Sequence, residues 1–117
     1  MATGPDSLLR QYVALHNRCV ESCDFSPLSK IFHPLAEMHF QGIALGPFIG
    51  REAILKAFQN HPPTARIAIL EQNTHQSISH ATYAWLEDSH RPAGRLHIEA
   101  NEDMILRITI SIDDPAG

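Results

Sequence analysis

The chain holds only two cysteines, one tryptophan and few aromatic residues of any kind. Cys19 and Cys23 lie four residues apart in one helical pattern and form a poor disulfide pair, so reduced, partly buried thiols are expected. Positive charge is also scarce. Nine Lys and Arg stand against thirteen Asp and Glu, giving a net charge of −4 and a pI near 6.0. A chain so balanced offers no phosphate-binding surface, and nucleic acid is not expected as a partner. There is no 18-residue apolar run, and the opening MATGPDSLLRQ is not a basic stretch leading into an apolar one. The expectation is therefore a cytoplasmic protein with no membrane partner. Gly42, Gly46 and Gly50 are spaced four apart in a crossing segment, not as a dinucleotide-binding loop, and no Ser-His-Asp signature is present. His75/His80 and His33/His39 are the nearest histidine pairs, but neither they nor the cysteines have zinc spacing, so no metal and no cofactor is expected.

What is present suits one domain. With 117 residues and 44% hydrophobic content, residues 1–117 can bury a core but have no room for a second unit. Histidine is the unusual count, at eight, so the charge of the chain should respond to mild acid.

The apolar residues mark the elements. Leu8, Leu9, Tyr12, Val13, Leu15, His16, Cys19 and Val20 recur at three- and four-residue spacings, which predicts a helix capped by Asp6 or Ser7 and running to about Cys23. Ser26-Pro27 predicts a short second helix carrying Leu28, Ile31 and Phe32 and closed by His33-Pro34. Met38–Gln41 alternates as a half-buried strand does, and Gly42, Gly46, Pro47 and Gly50 then break the pattern. Ala53, Ile54, Ala57 and Phe58 form the apolar stripe of a third helix, which Asn60-His61-Pro62-Pro63 ends. Everything beyond reads as strand: Arg66–Gln72, a turn at Asn73-Thr74, Gln76–Glu87, a loop at Ser89–Gly94, Arg95–Ala100, a turn at 101–103, and a last strand with Leu106, Ile108, Ile110 and Ile112 on one face. Helices first and strands last predict an α+β domain, with the helices over one face of a curved, mostly antiparallel sheet and a core or pocket between them. Tyr83 and Trp85 are expected at a sheet or dimer surface.

This order of elements, with QYVAL on the first helix, FHPLAEMHFQG at the first strand, GPFIGREAILKAF at the third helix and RITISID at the end, resembles the SnoaL-like and ketosteroid isomerase branch of the nuclear transport factor 2-like superfamily. The resemblance implies a cone-shaped barrel packed with three N-terminal helices, a pocket at its wide end, pairing as a homodimer through the sheet, and a small hydrophobic ligand. It also implies isomerase- or cyclase-like proton transfer without a cofactor on a steroid- or polyketide-like substrate, or else a ligand-binding or dimerisation module of the same fold. In the isomerase, a carboxylate base moves the proton while a tyrosine and a protonated aspartic acid hold the enolate oxygen. Tyr12 matches that tyrosine. The base position falls on Gln41, which cannot take up a proton, and the aspartic acid position falls on Arg95, Leu96 or His97. On the first strand Glu37, His39 and Gln41 share a parity, so His39 is the candidate base if Gln41 faces the pocket; the alternative is that Met38 and Phe40 face inward. The expected site is thus Tyr12, His39 and Gln41 as catalytic groups, with His16, His97, Phe40 and Phe58 around the substrate.

Overall fold

The computed structural model describes residues 5–101 and 103–112. Helix α1 spans Pro5–Ser22, and α2 spans Arg51–Asn60. Six strands follow the order β1 Phe32–Gln41, β2 Phe48–Ile49, β3 Ile67–His75, β4 Ile78–Trp85, β5 Pro92–Asn101 and β6 Met104–Ile112. They form one sheet in the order β2-β1-β6-β5-β4-β3. The β1–β6 pair is parallel and every other pair antiparallel, so the α+β architecture and the mostly antiparallel sheet are as the sequence indicates.

The second helix is different. Ser26–Lys30 is a single five-residue 3₁₀ turn, leaving two α-helices among the described residues where three helices were expected. The chain is already claimed by the sheet at Phe32, which pairs with Ile105 while the Ile105 N–H donates to Ile31 O at 2.8 Å. His33 and Pro34 therefore lie inside β1, at the register shift between Phe32 and Glu37, where a proline costs no ladder hydrogen bond. Residues 73 and 74 continue β3, and the turn comes at Gln76-Ser77, with Gln76 at φ 56°. The residues read as a crossing contain β2, which pairs Met38 with Phe48 and Glu37 with Ile49. The expected turn at 101–103 includes Glu102, which lies outside the described residues.

Further register shifts leave Leu70 in β3, Ala93 in β5 and Leu106 in β6 as extra residues against their partner strands. Each such bulge bends its strand and adds twist, which curls the sheet around the helices. Helix α1 packs against β3, β4, β5 and β6, while α2 covers β1 and β2. Between them Leu8, Leu9, Met38, Ile54, Leu96, Ile98, Ile105 and Ile108 are fully buried, each contributing roughly 1.5–3 kcal/mol of transfer free energy. Gly50 sets the entry to α2 at φ 93°, a conformation that a side chain disfavours, while its N–H donates to Ala36 O at 2.7 Å.

Candidate ligand cavity

The curled sheet and the two helices leave a cavity of about 320 Å³ unfilled. That lies at the small end of the range for ligand pockets, about 300–1,000 Å³. Its wall is almost wholly apolar. Met38 and Phe40 of β1, Leu96 of β5, and Ile110 and Ile112 of β6 supply the sheet side, and Ala57 and Phe58 of α2 the helix side. Ile43, Leu45 and Phe48, from the connection between β1 and α2, and Trp85 from the end of β4 complete it. Phe58 is held by stacking on Phe25 at 5.5 Å, and Phe40 by an edge contact with Phe48 at 6.3 Å.

The polar groups come mainly from α1. Tyr12 and His16 are one helical turn apart, so both side chains point the same way; their ring centroids are 5.9 Å apart. They are 2% and 6% exposed. Among the described residues neither Tyr12 Oη nor His16 Nε2 makes a hydrogen bond, yet no fully buried side-chain nitrogen or oxygen is left unpaired; both atoms therefore open onto the cavity. Burial, and secondarily the nearby Tyr83 hydroxyl, hold the Tyr12 phenol well above its ordinary pKa, so it keeps its proton and acts as a donor. Burial lowers the His16 pKa, opposed only by its contact with Asn17, so the imidazole is neutral near pH 7. Tyr83, 2% exposed, donates its hydroxyl to Ser111 O at 3.1 Å. His61 and Trp85 stand at the wall, and Trp85 is 38% exposed. Among the described residues no carboxylate lines the cavity, and no group of three His, Cys, Asp or Glu side chains is placed to hold a metal ion.

The structure thus brings together Tyr12, His16, Phe40 and Phe58 but not His39, Gln41 or His97. Adjacent strand residues face opposite sides of a sheet, so with Met38 and Phe40 on the cavity wall, His39 and Gln41 project from the other face. There His39 Nε2 lies 2.9 Å from Glu37 Oε1, and Arg107 Nη2 lies 3.6 Å from the same oxygen. The hydrogen bond from His39, and next the Arg107 charge, outweigh desolvation and hold the Glu37 carboxyl below its usual range. His97 is on this outer face as well, its ring edge-on to His80 at 4.3 Å, and its pKa is lowered first by burial and then by the His80 and Arg95 charges. The expectations that His39 and Phe40 both meet the substrate were mutually exclusive for neighbours on one strand. Tyr83 and Trp85, expected at a surface, line the cavity.

Two outcomes follow from this placement. His39→Ala should change stability by no more than about 0.5 kcal/mol and leave the cavity intact, to be checked by urea denaturation and by ligand titration. Stability should also fall in mild acid. Below about pH 6.5 the unfolded imidazoles take up protons that His16 and His97 refuse in the folded state, so their contribution is complete above that pH and is lost as pH falls through the depressed folded values. Urea midpoints measured from pH 8 to pH 5 should decline, and decline less in His16→Gln; an identical decline in the variant would place the titrating group elsewhere.

An α+β domain whose curled sheet and helices enclose a one-sided cavity has the nuclear transport factor 2-like fold. Solved structures share it across nearly the whole chain. A nuclear transport factor 2-like protein of unknown function from Burkholderia xenovorans aligns with a TM-score of 0.69 at 16% identity, covering 95% of this chain and 87% of that one. A candidate ketosteroid isomerase from Kribbella flavida aligns with a TM-score of 0.64 at 15% identity, covering 92% and 76%. A candidate polyketide cyclase from Sinorhizobium meliloti gives a TM-score of 0.61 at 19% identity, covering 82% and 89%. No family model and no curated protein matches the sequence. At these identities the likeness is one of fold, and function has to be argued from the cavity.

Proposed function

We propose that the cavity binds a small, largely apolar molecule carrying one polar oxygen, and that Tyr12 and His16 perform a cofactor-independent proton transfer on it, in the manner of an isomerase or cyclase. The observation that carries this reading is that Tyr12 Oη and His16 Nε2, on side chains more than nine-tenths buried, have no hydrogen-bond partner among the described residues and open onto a largely apolar cavity. A ligand oxygen that bonds to such an atom contributes a net stabilisation of about 0.5–1.5 kcal/mol. In the reaction, neutral His16 removes a proton from the carbon next to a ligand carbonyl, Tyr12 O–H donates to the oxygen as it becomes an enolate, and the imidazolium returns the proton to another carbon. His16 takes the role first assigned to His39. Fold neighbours described as a candidate isomerase and a candidate cyclase are consistent with such chemistry. In the same reading the curled sheet is a cone-shaped barrel with the cavity at its wide end, a second copy pairs through the outer sheet face, and the two free thiols suit the cytoplasm.

A wall with no carboxylate among the described residues favours a second reading, a binding module without turnover. Hydrogen exchange separates the two. Cyclic β,γ-unsaturated ketones and aromatic polyketide-like ketones incubated in D₂O with the protein should acquire deuterium at the carbon next to the carbonyl, or isomerise, faster than without it. Ligands that quench Trp85 fluorescence on binding yet exchange no faster with protein would leave the module reading alone.

A further inference from the structure

Next to His16 stands a half-buried side chain that ties α1 to the sheet. The Asn17 amide closes a two-bond ring with the backbone of Ile67, at the start of β3. Ile67 N–H donates to Asn17 Oδ1 at 2.8 Å, and Asn17 Nδ2 donates to Ile67 O at 2.8 Å. An N–H cannot accept and a carbonyl cannot donate, so these two bonds fix which end of the amide is oxygen, an assignment that otherwise rests on choice. The oxygen end is turned to His16, with Oδ1 3.2 Å from Nδ1. Two lone pairs would repel at that distance, so the contact is attractive only with a proton on Nδ1. One proton on a neutral imidazole leaves Nε2 bare.

We infer that Asn17 is a positioning residue, locking His16 in the Nδ1–H tautomer so that bare Nε2 is the acceptor presented to the cavity. The inference rests on the reading of the cavity as a ligand site. A neutral histidine side chain free in water prefers the opposite, Nε2–H, tautomer, so the lock has a consequence for what enters. Helix α1 then offers the cavity a donor, Tyr12 O–H, beside an acceptor, His16 Nε2. A hydroxyl satisfies both, and so does a carbonyl whose neighbouring C–H lies against Nε2. A carboxylate sets its lone pairs against Nε2 and must bring a proton with it. The site is therefore built for neutral hydroxyl or enolisable carbonyl ligands.

Long-range ¹H–¹⁵N correlation spectra of the wild-type histidines read the tautomer directly. His16 should show a protonated Nδ1 and a bare Nε2 at pH 7.5, Asn17→Ala should shift His16 towards a mixture or the opposite form, and Asn17→Asp, which keeps an acceptor oxygen, should retain Nδ1–H and titrate at higher pH. A wild-type His16 protonated on Nε2, or a pure Nδ1–H form persisting in Asn17→Ala, overturns the inference. If Asn17→Ala does not fold, the wild-type tautomer and the raised titration of Asn17→Asp decide it, since an unmoved titration in Asn17→Asp counts against the contact. Adding 4-tert-butylphenol and, separately, 4-tert-butylbenzoate at pH 7.5 tests the consequence: the phenol should bind at least tenfold more tightly, and the benzoate should gain as pH falls. Equal binding would overturn the selectivity. A locked tautomer whose Nε2 ignores every ligand would retain Asn17's role while removing the proposed function.

Discussion

His16→Gln is expected to lower the rate of proton transfer by about 10²–10⁴-fold, the contribution typical of a positioned general base. In barrier height that is about 3–5 kcal/mol. Glutamine fills a similar volume and offers an amide to the cavity, so ligand affinity should change less than tenfold and the loss should fall on kcat. The wild-type rate should lose activity on the acid side as His16 takes up its proton, below the ordinary histidine range because burial opposes the charge. Tyr12→Phe removes the hydroxyl donor that α1 offers the cavity and should weaken binding and turnover together. Since the Tyr12 phenol is held protonated, its removal should leave the shape of the pH profile unchanged. Stopped-flow or NMR assays of isomerisation across pH 5–9 would test this, and a His16→Gln enzyme with unaltered kcat would show that the base lies elsewhere.

Gly94→Ala is expected to destabilise the fold by about 3 kcal/mol, because overpacking against backbone leaves nothing that can yield. A Cβ at this position would overlap Ser111 O and meet Tyr83 Cε1 at 2.9 Å. The sequence reason is visible in the register: Tyr83 on β4 is opposite Gly94 on β5, which is opposite Ile112 on β6. With no side chain at Gly94, the Tyr83 ring lies across β5 and its hydroxyl reaches the Ser111 carbonyl on the next strand. This is how an aromatic residue covers a glycine in a curved sheet. For a domain of this size the loss corresponds to a fall in Tm on the order of 15 °C, readable by calorimetry. Tyr83→Phe, which keeps the ring and loses the bond to Ser111 O, should cost only about 1 kcal/mol for that bond. A Gly94→Ala protein melting with the wild type would mean that Tyr83 does not lie over β5.

The helices were legible because their apolar spacing is imposed by a single buried stripe: Leu8, Leu9, Tyr12, His16 and Cys19 on α1, and Ile54 and Phe58 on α2, are the residues that the sheet covers. Proline signals were read correctly after α2 and wrongly at His33-Pro34, where pairing of Phe32 with β6 overrides the local preference. Such long-range pairing leaves no mark on neighbouring residues. On β4 both parities mix small, polar and aromatic residues, so alternation alone cannot say that Ser79, Ala81 and Tyr83 face inward. On β1 the signal existed. Met38 and Phe40 are the apolar parity, and polar Arg107, Thr109 and Ser111 stand beside Glu37, His39 and Gln41 on the other side of the sheet. Taking apolar parity as cavity-facing would have moved the candidate base from His39 to His16, a residue whose place one turn from Tyr12 was already apparent.

The most direct measurement is a histidine-resolved NMR titration of the wild-type protein with 4-tert-butylphenol and with a cyclic ketone. Ligand in the cavity should move the ring resonances of His16, and to a smaller degree His61, while His39, His80 and His97 on the outer sheet face stay in place. Movement of His39, His80 or His97 with His16 unchanged would put the ligand on the other side of the sheet and contradict the assignment of the cavity.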